Sequence, residues 1–407
     1  MEDTYRSGDV NIQTLTIHSK AGDLNAVQFV LSASIFESIF VPGIIAEIIL
    51  RETKDLMNVL PIRGEETMTM TWNTPSRKDR TVQLSIMSIT DAQAQYQNRS
   101  VSYILRACSA EAFNNKTTFV QKSYNTTISS IVTDLLKNEL KTTKTLDVMS
   151  TKGTQKLIFS NRNVYDAIKV LQRRAVSNAD KSSLYMFFES KTGIHFTTFE
   201  NMLANGEMAD DIFTWDPTNN VTTNDVGFRN MMAFERPKHF MTVEKIGEGA
   251  LKTRVKRLDF RTLSYQKNDV AFDPSVLKSA DGSYKPLNTT DFTSKFGQNA
   301  GKHVFITSDS FYPPTGMEDA APNMFGGMSE YSQTAVKGYV YGDSQLSVGM
   351  KINTKIMQTS GDDTSKEEDP RLSGKYLITK LRHIIGPIDE PYRYTQAFEA
   401  VKGGTFK

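Results

Sequence analysis

The residue types able to do chemistry are present in this chain, but their spacing works against each familiar use. The five histidines, His18, His195, His239, His303 and His383, are scattered with no His-x-His or His-x-x-x-His pair. Metal ligands must converge on one ion, so no metal site is legible. His195 lies between Ile194 and Phe196, and His383 sits late in a strand-like run beside Ile384; both read as hydrogen-bonding strand residues. The single cysteine, Cys108, ends the alternating run Val101-Ser-Tyr-Ile-Leu-Arg-Ala-Cys108 and has no disulfide partner. It is expected to be a small buried hydrophobe, not a nucleophile. Gly-x-Ser-x-Gly is absent, and a triad assembled from distant residues would leave no trace in the sequence.

Paired carboxylates occur at Glu65-Glu66, Asp362-Asp363 and Glu367-Glu368. Glycosidase chemistry needs one acid in an apolar pocket and one in a polar setting, whereas all three pairs lie in solvated turns. Ile246-Gly-Glu-Gly-Ala-Leu-Lys-Thr253 lacks the glycine directly before the lysine of a phosphate loop, and it leads into a strand pattern where a helix N-terminus would be needed. The acidic stretch Thr359 to Pro370 lacks a glycine at the EF-hand position and the terminal bidentate acid of that loop. Lys252, Arg254 and Lys256 share one face of a strand, opposite Thr253, Val255 and Arg257. A basic stripe can track phosphates, but Phe260 follows the basic positions and does not interleave them, so a solvated face or a protein contact is expected. The chain is therefore read as no enzyme, with no catalytic, cofactor-binding or metal-ligating residues and no cofactor.

The elements that would carry these residues are mainly strands. Near the C-terminus, Leu346 to Met357, Lys375 to Ile385 and Tyr394 to Val401 are rich in β-branched and aromatic residues, and three strands in so short a span imply an antiparallel sheet. Strand patterns also cover 11–17, 27–36, 44–51, 67–72, 81–89 and 101–108. Helical spacing appears at Thr127 to Leu140 and at Asn163 to Ala175, with Asn161 or Asn163 placed to cap the second. Leu184 to Phe199 reads as a hairpin turning at Ser190-Lys-Thr-Gly193, with Gly193 suited to a positive φ. Ala204 to Asp210 reads as a linker, Met241 to Lys245 and Leu251 to Tyr265 as strand, and Phe311 to Pro322 as a long loop.

At 407 residues the chain has room for two to four domains. Its 48 basic and 46 acidic residues leave +2, too little for a global field that would draw it to nucleic acid or anionic membrane. Ala26 to Leu50 is the most apolar region, but Glu37, Pro42 and Glu47 interrupt it, so it is expected in a core and not in a bilayer. The polar start, Met1 to Asp9, does not suit a secretory signal, and the expectation is synthesis in the cytosol.

Several phrases, in order, resemble the baseplate central hub proteins of contractile-tailed phages, a family related to the base of type VI secretion spikes. Ile35-Phe-Glu-Ser-Ile-Phe-Val-Pro-Gly43, Leu60 to Met70 and Ser102 to Glu111 resemble the hub's first tube-like barrel; Ser123 to Leu140 and Asn163 to Phe199 resemble its α/β insert; Leu372-Ser-Gly-Lys-Tyr-Leu-Ile-Thr-Lys-Leu-Arg-His383 resembles its last barrel hairpin. Residues 206–334 carry the resemblance least. It implies an α+β, mainly β fold: two tube-like antiparallel β-barrels, 1–115 and 206–245 plus 336–404, an α/β insert at 116–205, and a smaller loop-rich insert at 246–335. It also implies a homotrimeric ring that adapts a hexameric tail tube to a trimeric central spike. Its implied partners are the spike, tail tube or tube-initiator proteins, the tape-measure protein and other baseplate proteins, with DNA only in transit and no integral membrane association. Its implied place is the virion tail baseplate, assembled in the host cytoplasm. The competing readings are a tail-associated cell-wall hydrolase and a carbohydrate-binding receptor module, the latter presenting Phe311 and Tyr312.

Overall fold

The computed structural model describes residues 8–53, 62–75, 77–95, 100–216, 229–237, 241–282, 294–308, 317–358, 367–386 and 394–403. His239, Phe311, Tyr312, Asp362 and Asp363, and most of the acidic stretch, lie outside them.

The chain is α+β and mainly β. Strands β1 (Asn11–Ser19), β2 (Gly22–Asn25), β3 (Val30–Ser38), β4 (Ile45–Glu52), β5 (Thr67–Asn73), β6 (Arg80–Gln95) and β7 (Ser100–Ser109) come first. Strict alternation in β4 and β5 sends Ala46, Ile48 and Leu50, and Met68, Met70 and Trp72, to one side, as a half-buried strand requires. Together with Leu15, Ile35, Tyr103 and Leu105 they form one apolar core.

A second core belongs to α1 (Ala110–Asn114), β8 (Phe119–Thr127), α2 (Ile128–Asp134, continued by a π-turn at Leu135–Glu139), β9 (Leu146–Val148), β10 (Thr154–Asn163), α3 (Val164–Gln172), β11 (Tyr185–Ser190) and β12 (Gly193–Thr198). The helical spacing read at 127–140 is present, with Ile128, Ile131, Val132, Leu135 and Leu136 all buried and the Thr127 hydroxyl accepting from Ser130 N–H. Asn163 occupies the N-cap position of α3 but does not cap it. Its amide donates to Asn115 O, and Asn115 Oδ1 accepts the Tyr165 N–H in its place. Gly193 has φ +139°, and a Cβ there would stand 2.2 Å from Thr145 O, so the hairpin turn and the approach of the segment leading into β9 both need glycine.

The rest comprises α4 (Phe199–Asn205), β13 (Met208–Trp215), β14 (Met231–Glu235), α5 (Thr242–Gly247), β15 (Lys252–Asp259), β16 (Tyr265–Ala271), β17 (Lys302–Ser308), α6 (Met317–Gln333), β18 (Ala335–Tyr341), β19 (Lys351–Ile356), β20 (Gly374–Ile385) and β21 (Tyr394–Val401). A third core gathers α4, α6, β18, β20 and β21 around Phe199, Tyr331, Tyr376, Leu381 and Phe398.

Both ends of the chain share one sheet, ordered β14-β18-β21-β20-β3-β4-β7-β6-β5-β1-β2, with β19 and β13 branching from β20. The branch is a property of β20. Its residues 374–377 pair with β19, while 380–385 pair antiparallel with β3. Tyr376, Leu377, Ile378 and Leu381 accordingly belong to the third core, and Ile385 to the first.

Several expected elements differ. The strand expected from Leu346 starts at Lys351, because 346–350 is a buried turn whose polar groups are met from other strands. Met241 to Lys245 belongs to a helix, α5; its apparent alternation fails since Val243 is 84% exposed while Lys245 is buried against Glu330 of α6. Residues 317–322 of the expected loop begin α6. Its loop-like glycines are close approaches, Gly326 meeting the Phe272 ring and Gly327 meeting Leu277. Leu251 to Tyr265 is a hairpin arm and its turn, not one strand, and Met208 to Asp210 lie in β13, not a linker.

Candidate functional site

The residues singled out in the sequence stand apart from one another. His18 bridges Asp23 (3.0 Å) and Thr69 (3.2 Å) at a hairpin. Cys108 is buried in β7, and burial pushes its thiol up to about 11, the opposite of an activated nucleophile. Burial opposes the charge on Glu66, yet the N–H groups of Arg63, Gly64 and Glu65 donate to its carboxylate and hold it below the usual range, which makes it a turn anchor. The segment after Ile246-Gly-Glu-Gly enters β15, so no helix N-terminus faces it. No group of three or more potential metal ligands occurs among the described residues.

Two clusters do bring together residues that the sequence held apart. In the first, His195 Nε2 lies 2.8 Å from Ser190 Oγ and its Nδ1 lies 3.0 Å from Asp147 Oδ2, in the order of a hydrolase triad. The surroundings differ from a working one. The Asp147 side chain is 64% exposed, Thr192 Oγ1 competes for Nε2 at 3.0 Å, and Ser190 Oγ already accepts the Thr192 N–H. What the cluster does is fix the Lys191-Thr192 turn, from which Lys191 N–H reaches Ser347 Oγ and Nζ reaches Gln345 O. In the second, Lys144 Nζ donates to Glu111 and Glu189 at 2.5 Å each. A cation shared this closely leaves no place for water or a glycosidic bond between the two acids.

The polar contacts converge on the buried turn 343–350, which contributes Leu346 and Val348 to the third core and meets the first through Glu37, Arg80 and Tyr394. Burial disfavours charge on Glu37, but Arg80, His383 and Ser347 overcome this and hold its carboxyl at about 2. Arg80 Nη2 donates to Glu37 Oε1, Ser347 Oγ donates to Oε2 at 2.6 Å, and Val348 N–H reaches Oε2 at 3.3 Å. Arg80 also donates to Leu346 O at 2.5 Å and lies 5.6 Å from the Trp72 ring. His383 is fully buried and its pKa is lowered, by burial first and by Arg80 second. Its Nδ1 lies 2.5 Å from the Tyr394 hydroxyl and 3.0 Å from Gln396 Nε2, and its Nε2 lies 3.4 Å from Glu37. Ser347 and His383 thus both address the same carboxylate and form no nucleophile–base pair. Arg77 adds contacts to Asp211 and, at 3.5 Å, to Asp343. The arrangement is a buried clasp that joins β3, β6 and β20 to the turn 343–350.

The outward side of the β3–β20–β21–β18 region carries an open apolar groove of about 470 Å³, lined by Phe36, Val41, Ile45, Leu381 and Phe398 and edged by Lys337, Lys380, Arg382, Glu235 and Glu399. Gly338 makes it possible, since a Cβ there would stand 2.2 Å from the Phe398 ring. Phe40, Val41 and Ile45 are 42%, 47% and 40% exposed beside it.

No protein-family model matches the sequence, and neither does any curated protein. Solved structures do match. The tail protein from Neisseria meningitidis MC58 superposes with a TM-score of 0.55 over 97% of either chain, at 8% identity. The 43 kDa tail protein of prophage MuSo2 from Shewanella oneidensis superposes with a TM-score of 0.55, over 96% of this chain and 98% of its own, also at 8% identity. The chain has the fold of a prophage tail protein. The tail-protein likeness is one of fold, and it covers nearly the whole chain. None of the helices among the described residues is long and apolar enough to cross a membrane.

Proposed function

We propose that this chain is a structural component of a phage tail, the baseplate hub of a contractile tail. The observation that carries the reading is a tail-protein fold matched over nearly the whole length of both chains. In this reading 1–115 and 206–245 plus 336–404 act as two tube-like barrels, with 116–205 and 246–335 as inserts. The first core, drawn from 12–107 apart from Ile385 and Tyr394, supports the first barrel as a unit, while the third core packs Phe199 and Tyr331 of the two inserts against the strands of the second. Three subunits would present six barrel units to a hexameric tail tube and three-fold symmetry to a central spike, around a channel for tape-measure protein and then DNA. Tube-initiator and other baseplate proteins would contact the remaining faces, in the virion tail.

The clasp suits a load-bearing part, because a buried ion pair, here Glu37 with Arg80, holds the strands and the turn it joins in one register. The apolar groove with its charged edge has the character of a subunit contact, and an exposed apolar surface of this kind marks an interaction site. The protein is not an enzyme in this reading, as the Ser190–His195–Asp147 cluster is tied into a turn and Lys144 occupies the space between Glu111 and Glu189. Negative-stain images of the purified chain at high micromolar concentration should show rings with three-fold symmetry and a central opening; single compact particles throughout would defeat the proposal. A zymogram cleared by the pure chain would support the cell-wall hydrolase in its place.

A further inference from the structure

The small sheet β16-β15-β17 is packed through β15 on one side and open on the other. Thr253, Val255 and Asp259 of β15 are buried on the packed side. The register sets the open side: Lys256 lies between Lys267 of β16 and Phe305 of β17, Arg254 between Asp269 and His303, and Leu258 between Tyr265 and Thr307. Residues directly opposite each other in a ladder share a face, so this face gathers Lys252, Arg254, Lys256 and Lys267 around the rings of Tyr265 and Phe305. The two rings are 53% and 65% exposed. Lys256 Nζ stands 5.4 Å from the centre of the Phe305 ring. The one carboxylate on this face among the described residues, Asp269, is taken by Arg254 through two bonds of 2.6 and 2.8 Å. In a chain whose whole net charge is +2, this is a local concentration of positive charge.

We infer that this face binds single-stranded nucleic acid without sequence preference. The cations call for a polyanion. The rings then decide its kind, because each unpaired base offers a π-face for stacking while a duplex hides its own. An acidic peptide would satisfy the lysines and leave Tyr265 and Phe305 in water. Within the basic stretch Lys252 to Arg261 the one aromatic is Phe260, and it falls in the turn after β15. The stacking rings come instead from the neighbouring strands, at positions only the pairing reveals.

The test is fluorescence anisotropy of the full chain with a labelled oligothymidine of about twenty nucleotides, at about 50 and about 200 mM salt. The expected result is binding that weakens steeply with salt. Phe305→Ala should lose about tenfold in affinity with an unchanged salt slope, and Tyr265→Ala should behave alike. Lys256→Glu with Lys267→Glu should lose affinity and flatten the slope. Thermal melts matching the wild type establish that the variants are folded. No anisotropy change with the wild type, wild-type affinity in all variants, or equal competition by a duplex or by polyglutamate would overturn the inference.

Discussion

Replacing Glu37 by Gln removes the charge around which turn 343–350 is built. Glu37 accepts from Arg80, Ser347 and Val348, and its side chain is fully buried, as is nearly all of Arg80. Gln presents one acceptor oxygen and one NH2 group, so either Arg80 or Ser347 meets a donor, and the Arg80 guanidinium is left buried without a counter-ion. Breaking such a pair from one side costs about 3–5 kcal/mol. Glu37→Leu combined with Arg80→Met removes both charges, and since a buried pair is often no more stable than apolar residues of like volume, the double variant should recover most of the loss. Urea unfolding followed by Trp72 fluorescence in a Trp215→Phe background reports on this site, because Trp72 packs against Arg80 and His383. The same clasp sets an acid limit. A carboxyl held at about 2 contributes stability that is whole above the unfolded value of about 4.3 and is lost as pH falls through about 2. The reasoning fails if Glu37→Gln shifts the transition by less than about 1 kcal/mol, or if the double variant is as unstable as the sum of the singles.

Burial raises Glu200 to about 7, against hydrogen bonds from Ser182 and Tyr331. Between about 4.3 and 7 the folded state therefore holds a proton that the unfolded chain has lost, and stability falls as pH rises across that window. Glu200→Gln should remove this slope and gain about 2–3 kcal/mol at pH 8, read by urea unfolding at several pH values; an unchanged slope would show that Glu200 is not its source. A fluorophosphonate probe should leave Ser190 unlabelled, since its hydroxyl is engaged by His195 and the Thr192 N–H; labelling abolished by Ser190→Ala in intact-mass measurements would make the cluster a nucleophile site after all.

What the sequence revealed was local. β20 and β21 were read to within a residue because their β-branched residues are bounded by turns, and α2 because its apolar positions recur at three and four. What it concealed was pairing over distance. Glu37 was legible only as a charge interrupting an apolar run. Its partners Arg80, Ser347 and His383 lie 43 to 346 residues away, and the register of β3 on β20 is what brings His383 and Glu37 near each other. The same holds for His195 and Asp147, joined by the parallel pairing of β12 with β9. α5 was misread because Lys245, a charged residue, fills its buried position, and a polar residue in a core position defeats a reading based on hydrophobic periodicity.

The most direct measurement of the hub reading is the solution mass of the purified chain by light scattering across concentrations up to high micromolar. It predicts a particle of three chains of 45.7 kDa, reduced to single chains that remain folded by circular dichroism when Val41 and Ile45 in the groove are both changed to Glu. A wild-type mass of one chain at every concentration, or a trimer that survives both substitutions with the groove still open to solvent, would contradict it.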